Sequence, residues 1–256
     1  MPRWLFLVLL LTTTLNTPVF AETSQEKGLA IATEVDERDS GWGDMTAYMK
    51  MILRNKQGQE SLRALTMSML EVANDGDKSL VIFEDPKDIK GTALLSYTHP
   101  LTPDDQWLYL PGLKRVKRIS SADKSGSFMG SEFAYEDLTS QEIEKYHYNY
   151  LRDEVVDNVD CYVIERIPAY ADSGYAREIV WYNKIIYRPV KIEFYDRKNK
   201  LLKTLTFSGY NKYGDKYWRA GQMDMSIIKT TRRLCWNGTS INFKMVSRIG
   251  ILISIL

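Results

Sequence analysis

Two histidines and two cysteines in 256 residues remove several kinds of chemistry at once. His99 and His147 stand apart and in no HExxH spacing, so a zinc hydrolase lacks its ligands. Neither a Gly-x-Ser-x-Gly elbow nor a phosphate-binding glycine loop is present. The acidic residues Asp85, Asp88, Asp104 and Asp105 fall in water-rich segments, where a carboxyl has no cause to hold the raised pKa of a general acid. No catalytic residue, metal site or cofactor is expected. Cys161 and Cys235 define no disulfide framework, and no bridge is expected between them. Cys161 lies in VDCYVIERI, whose alternation makes it a small core residue of a half-buried strand. With 34 basic and 33 acidic residues the formal charge is +1, which leaves no electrostatic case for nucleic acid as a partner.

A membrane-spanning run is also lacking. The N-terminal stretch places Arg3 before the apolar residues Trp4 to Leu11, too few to cross a bilayer, and then Val19 and Ala21 as a small-residue cleavage site. Residues 1–21 thus read as a secretory signal peptide, with the mature chain starting at Glu22. No cysteine follows that site, so no lipid anchor is expected.

The remaining chain, about 235 residues, is the size of one large β domain, without linker, repeat or low-complexity tract. Glu22 to Glu37 carries Leu29, Ile31, Ala32 and Val35 at helical spacing and predicts an amphipathic helix that packs on a sheet. After Gly41-Trp42-Gly43 the pattern changes to period two: Met45, Ala47, Met49, Met51 and Leu53 alternate with Thr46, Tyr48 and Lys50. A turn near Gln57-Gly58 leads to a second strand, with Arg63, Leu65, Met67 and Met69 on one face. Further strands are predicted near 80–84, 92–97, 106–110, 115–119, 146–156, 160–167, 176–182, 189–196, 201–211 and 216–225. Short connections make them antiparallel neighbours, and Pro86 to Lys90 and Ser140 to Lys145 are predicted short helices.

Five of the ten methionines lie between positions 45 and 69. A wall of Met45, Met49, Met51, Met67 and Met69 suits cargo of variable shape, because methionine is flexible and polarizable. The same spacing equally suits core packing under the helix. A second block, QWLYLPGLKRVKRISSADKSGSFMGSEFAYEDL (106–138), sets aromatic Trp107 and Tyr109 before a Pro-Gly turn. Lys114, Arg115, Lys117 and Arg118 follow, reading as a strand that ends at water with its basic stems over apolar surface. In the loop beyond, Phe128, Met129, Phe133 and Tyr135 sit among Gly126, Gly130 and several serines. That loop is either a gate at a cavity mouth or a fixed plug. Glu132, Glu136 and Asp137 are placed to pair with Arg115 and Arg118, and exposed pairs of that kind contribute about 0–1 kcal/mol.

Taken with the upstream FEDPKDIKGTALL, this block resembles the LolA-like outer-membrane lipoprotein-sorting protein family, in its longer branch. The shared pieces are Phe-x-x-Pro-x-x-x-x-Gly-Thr, Trp-Leu-Tyr-Leu-Pro, and Arg-Ile-Ser leading to Phe-Met-Gly-Ser-x-Phe-x-Tyr-x-Asp, and the resemblance runs from about Gly28 to Met225. It implies a mainly β fold with a few helices: a curved, incomplete antiparallel β-barrel, covered by helices, in the periplasm. It further implies a monomeric, non-enzymatic carrier or chaperone. A lipid, a lipoprotein acyl chain or other apolar cargo would bind through Met45, Met49, Met51, Met67, Met69, Trp107, Tyr109, Phe128, Met129, Phe133 and Tyr135. Its expected partners are an RND-type envelope exporter or an outer-membrane acceptor. A different class, an envelope sensor or adaptor like the RseB-like regulators, uses a similar half-barrel to bind a protein.

On this reading the half-barrel domain spans 22–225, and the tail, 226–256, departs from both the rest of the chain and the family. Back-translated with synonymous codons and shifted by two bases, the tail has one solution containing LEWNEYQ, a family-like strand, so it is read as out of frame. An unpaired sheet edge and an apolar, β-prone IGILISIL end are the expected consequences.

Overall fold

The computed structural model describes residues 21–55 and 57–227, together with the backbone of 233–242; all but the last residue of the expected signal peptide, 1–21, and the IGILISIL end lie outside the described residues. A helix, α1 (Ser24–Asp39), opens the chain two residues later than expected, because Thr23 caps it. The Thr23 hydroxyl accepts the Glu26 N–H at 3.1 Å and the Glu26 carboxylate accepts the Thr23 N–H at 2.8 Å, a reciprocal capping box that satisfies two otherwise orphaned donors.

Its buried face is Gly28, Ile31 and Ala32. Leu29, expected on that face, is instead 47% exposed. The reason is a close approach: a Cβ on Gly28 would lie 2.7 Å from the Tyr150 backbone nitrogen, so glycine at this position lets the helix rest directly on a strand.

The strands are β1 (Asp44–Arg54), β2 (Glu60–Leu70), β3 (Lys78–Asp85), β4 (Ala93–Tyr97), β5 (Asp105–Leu110), β6 (Arg115–Ile119), β7 (Tyr146–Val156), β8 (Val159–Pro168), β9 (Tyr175–Asn183), β10 (Pro189–Asp196), β11 (Leu201–Ser208), β12 (Asn211–Tyr213), β13 (Tyr217–Arg219), β14 (Gln222–Ile227) and β15 (Arg233–Asn242). Among the described residues, thirteen form one sheet in the order β6-β5-β4-β3-β2-β1-β15-β14-β11-β10-β9-β8-β7, and β12 and β13 pair separately. The end strands β6 and β7 do not pair with each other, so the curved sheet is an incomplete barrel. Its inner face carries the main core, including Met51, Leu65, Val81, Phe83, Leu94, Ile164, Val180 and Met225, with Ile31 and Ala32 of α1 packed into it.

Several expectations need correction. The strands read as 201–211 and 216–225 each break, because the chain leaves the sheet at Gly209 (φ +62°). It makes the β12–β13 excursion and returns at Gly221, where a Cβ would meet the Gly209 carbonyl at 2.8 Å. Pro86 to Lys90 forms turns rather than a helix, with the Ile89 N–H on the Pro86 carbonyl at 3.1 Å. Of Ser140 to Lys145 only Ile143–Lys145 is helical, as a single 3-10 turn. The edge expected to stay open is filled: β15 pairs antiparallel with β1 on one side and β14 on the other. Backbone pairing of this kind asks little of the side chains, which is why an atypical segment can take the place.

Candidate functional site

The register of β1 and β2 builds the first wall of a cavity. Met45 lies opposite Met69, Ala47 opposite Met67, and Met49 opposite Leu65, all on the inner face. Between α1 and β1 the chain turns at Gly41 (φ +90°) and Gly43 (φ +72°), conformations that favour glycine. The Glu71 carboxylate accepts both glycine N–H groups, at 2.7 and 2.8 Å. This clamp sets Trp42 into the cavity wall. Facing the methionines across a space of about 980 Å³ are Ile192 and Phe194 of β10, Leu205 and Phe207 of β11, and Met223 of β14. That volume is at the upper end of the roughly 300–1,000 Å³ usual for small-molecule sites.

One end of the same cavity is polar and carries Tyr148, Arg166, Tyr182 and Arg188. Arg166 Nη2 donates to Glu178 Oε2 at 2.5 Å, and both residues are buried. Burial works against the Arg166 charge, but the Glu178 carboxylate and the surrounding tyrosines outweigh it and raise the pKa. Asp39, at the end of α1, accepts from Arg188 and Arg219 at 2.5 Å each, which ties the helix to the start of β10 and to β13. Near the rim, burial raises the pKa of Asp77 and of Glu142, while hydrogen bonds from Ser140 (3.1 Å) and Thr98 (2.9 Å) pull the other way.

The Gly/Ser/Phe loop is packed as a plug. Phe128 is fully buried and stacks on Phe83 with ring centroids 5.6 Å apart. The Phe128 N–H donates to the Phe133 carbonyl at 2.7 Å, and the Met129 carbonyl accepts from Arg63 at 2.7 Å. Glu136 and Asp137 do not pair with Arg115 and Arg118. Asp137 meets Lys203 at 2.5 Å and the Tyr175 hydroxyl at 2.7 Å; Glu136 accepts from Ser173 and Gly174; and Arg118 pairs with Asp105. The loop residues sit over the inner face, whereas the arginines lie on the edge strand, where they are exposed.

The structure therefore distributes the predicted site residues among three places. Met45, Met49, Met67, Met69 and Phe133 line the cavity. Met51 and Phe128 belong to the core beside it, with Met129 and Tyr135 packed against that core. Trp107 and Tyr109 point to the outer face: in β5 it is Gln106 and Leu108 that are buried. Sequence reasoning missed Trp42, Met223 and the β10–β11 pairs. The alternation of Ile192 with Phe194 and of Leu205 with Phe207 was a usable signal. Arg166 gave none, since a lone arginine in an alternating strand reads as a surface residue. Among the described residues no cluster of His, Cys, Asp and Glu is arranged to hold a metal ion, and no described helix is long and apolar enough to cross a membrane.

Comparison with known proteins places this architecture. A family model described only as that of an uncharacterized protein matches residues 75–247. The structure is similar to a domain named as an outer membrane lipoprotein-sorting protein from Vibrio parahaemolyticus, with TM-score 0.86 and 54% identity over 88% of this chain and 96% of that one. A DUF1329-family protein from Desulfovibrio piger matches with TM-score 0.82 and 26% identity, over 87% and 94% of the two chains. A LolA-superfamily protein from Nitrosomonas europaea shares the fold, with TM-score 0.68 and 22% identity over 88% and 96%. No curated protein matches the chain. At 54% identity over nearly the whole of the Vibrio domain, and with the LolA fold, the chain belongs to the outer membrane lipoprotein-sorting protein family.

Proposed function

We propose that this protein is a periplasmic carrier whose cavity shields an acyl chain, of a lipid or of a lipoprotein, during transfer across the cell envelope. The observation that carries the reading is the cavity of about 980 Å³ between a methionine wall and an aliphatic and aromatic one. Burying alkyl chain there is favourable by about 0.8 kcal/mol per methylene, and flexible methionines let one wall accept chains of different length and unsaturation. No cofactor is needed. The chain acts as a monomer and, on this reading, hands its cargo to an outer-membrane acceptor or receives it from an exporter.

The test is an organic extract of protein purified from the periplasm, examined by mass spectrometry. A reproducible acyl lipid, lost from Met67→Lys and Met49→Lys variants that keep the wild-type circular dichroism spectrum, supports the carrier. Protein that is empty under gentle purification and takes up no added fatty acid contradicts it. If that empty protein forms a stable complex with an envelope protein, the adaptor reading replaces the carrier.

A further inference from the structure

The outer face of the sheet is finished differently in its two halves. Over β8–β10, Cys161, Val163, Ile179 and Trp181 form a second small core on that face, and the protein covers it with its own long side chains. Lys191 Nζ lies 3.6 Å from the Trp181 ring centroid, and the Arg177 guanidinium lies 3.6 Å from that of Tyr195.

Over β3–β6 the outward residues are just as apolar, but apart from the buried Leu80 they remain partly exposed. Cross-strand register puts Leu80, Leu95, Trp107 and Arg118 in one row, and Ile82, Ala93, Tyr109 and Val116 in the next. Tyr97 meets Trp107 edge-on at 5.5 Å. Among the described residues the one α-helix lies on the other, inner face, against β7. At the two ends of the patch the turns expose Leu101 (86%) and Leu113 (65%). Cations border it: Lys78 against Tyr97 at 4.7 Å, Arg118 in β6 and Lys114 at the turn before it, while Arg115 and Lys117 alternate to the other side of the same exposed edge strand. Three carboxylates stand near: Asp105, which is paired with Arg118, Asp75, which His99 bridges to Asp105, and Glu84, which accepts from Thr66 at 3.3 Å.

We propose that this outer face of β3–β6 docks on the surface of an anionic phospholipid bilayer. Tryptophan and tyrosine settle at the headgroup level because each joins an apolar ring to a polar edge. Basic side chains around them meet lipid phosphates, and exposed aliphatic tips enter the acyl boundary. Five cations on the patch and along its exposed edge strand, against three carboxylates, supply the charge complementarity. The surface is on the opposite side of the sheet from the cavity, so the inference stands whether or not the cavity holds an acyl chain.

The experiment is flotation of the purified protein with vesicles of equimolar phosphatidylglycerol and phosphatidylcholine, and with vesicles of phosphatidylcholine alone. Binding is expected to the first and to weaken with added salt. The Lys114→Gln/Arg118→Gln variant is expected to bind roughly 25-fold more weakly, at about fivefold per cation removed, and Trp107→Ser is expected to lose further affinity. Arg152→Gln, an exposed cation of the other half, serves as the control that leaves binding unchanged. Both charge variants alter exposed residues, and their melting temperatures check that the fold is retained. Absence of binding to anionic vesicles, equal binding to both vesicle types, or binding indifferent to the Lys114/Arg118 change overturns the proposal. So does capture of an acidic protein by a chain without vesicle affinity.

Discussion

The two walls of the cavity come from opposite halves of the same sheet and are built on different principles. Along β1 and β2 the wall is methionine and alanine, with no charge among Met45, Ala47, Met49, Met67 and Met69. Across from it, β8 and β9 place Arg166, Glu178 and Tyr182 on the inner face among the apolar residues. The second wall is held by directional bonds: Arg166 to Glu178, Asp39 to Arg188 and Arg219, and Asp137 to Lys203. Arg63 and Glu71 make directional bonds at the margins of the first wall, but its cavity-lining methionines are held by packing, and methionine side chains repack at little cost. One wall fixes the shape of the space while the other adjusts to what enters it. The plug loop belongs with the fixed wall, since Glu136 is anchored by Ser173 and Gly174, just ahead of β9.

That contrast makes distinct demands on substitutions. The largest effect is expected at the fixed wall. Glu178→Gln leaves the Arg166 guanidinium buried without its counter-charge and should cost about 3–5 kcal/mol in urea unfolding, whereas a paired Arg166→Met/Glu178→Leu change should cost clearly less. Equal losses from the single and the double change would show that the pair does not brace this wall.

Next is the pH dependence of the plug. Burial, followed by the neighbouring Asp137 carboxylate, pushes Glu136 up to about 7, against hydrogen bonds from Gly174 and Ser173 that lower it. The folded protein then binds a proton that the unfolded chain, with its ordinary value of 4.5, gives up. Stability from this group is complete below that value and is lost as pH rises through about 7, by about 3 kcal/mol at most. Melting temperatures across that window should fall with pH, and Glu136→Gln should flatten the fall. An unchanged slope in the variant would locate the effect elsewhere.

Gly28→Ala tests the seat of the helix. Alanine favours the helix by about 1 kcal/mol, yet its methyl group meets the β7 backbone at 2.7 Å. A net destabilisation of about 1–3 kcal/mol is expected, and a stabilised variant would mean that α1 shifts freely. The smallest effect belongs to the adaptable wall. Met67→Leu should change stability by less than about 1.5 kcal/mol, while narrowing the range of acyl-chain lengths that the protein retains in competition binding.

Period-two alternation made most of the strands legible, and the flanking Gly-Trp-Gly and Met pattern made one cavity wall legible. What escaped shows where local pattern stops. Trp107 and Tyr109 alternate with Gln106 and Leu108, and in isolation the aromatic pair reads as the inward one. Only the register with β4 and β6 reverses that, placing the glutamine inside, where it donates to Ser96 and to the Tyr135 carbonyl. Leu29 misled in the same way, because a helix resting on bare backbone at Gly28 buries a different stripe from the one its large side chains advertise. The break in β11 depended on one glycine at positive φ.

Our reading of 226–256 as frame-shifted makes its own demand: the coding DNA must use codons compatible with the alternative frame, and a frame-corrected chain should be more soluble. Codons incompatible with that frame would remove the reading, and equal solubility and melting temperature would remove the expected loss of solubility; in this chain β15 fills the gap between β1 and β14.

The most direct test of the central claim is a spectrum of protein labelled at its methionine methyl groups with carbon-13, recorded as a nitroxide-labelled stearic acid is added. The account predicts that the resonances of Met45, Met49, Met67 and Met69 broaden first and together, while Met51, buried in the core beside the cavity, persists. Broadening that spares the first four, or that affects all methionines alike, would contradict a cargo cavity walled by β1 and β2.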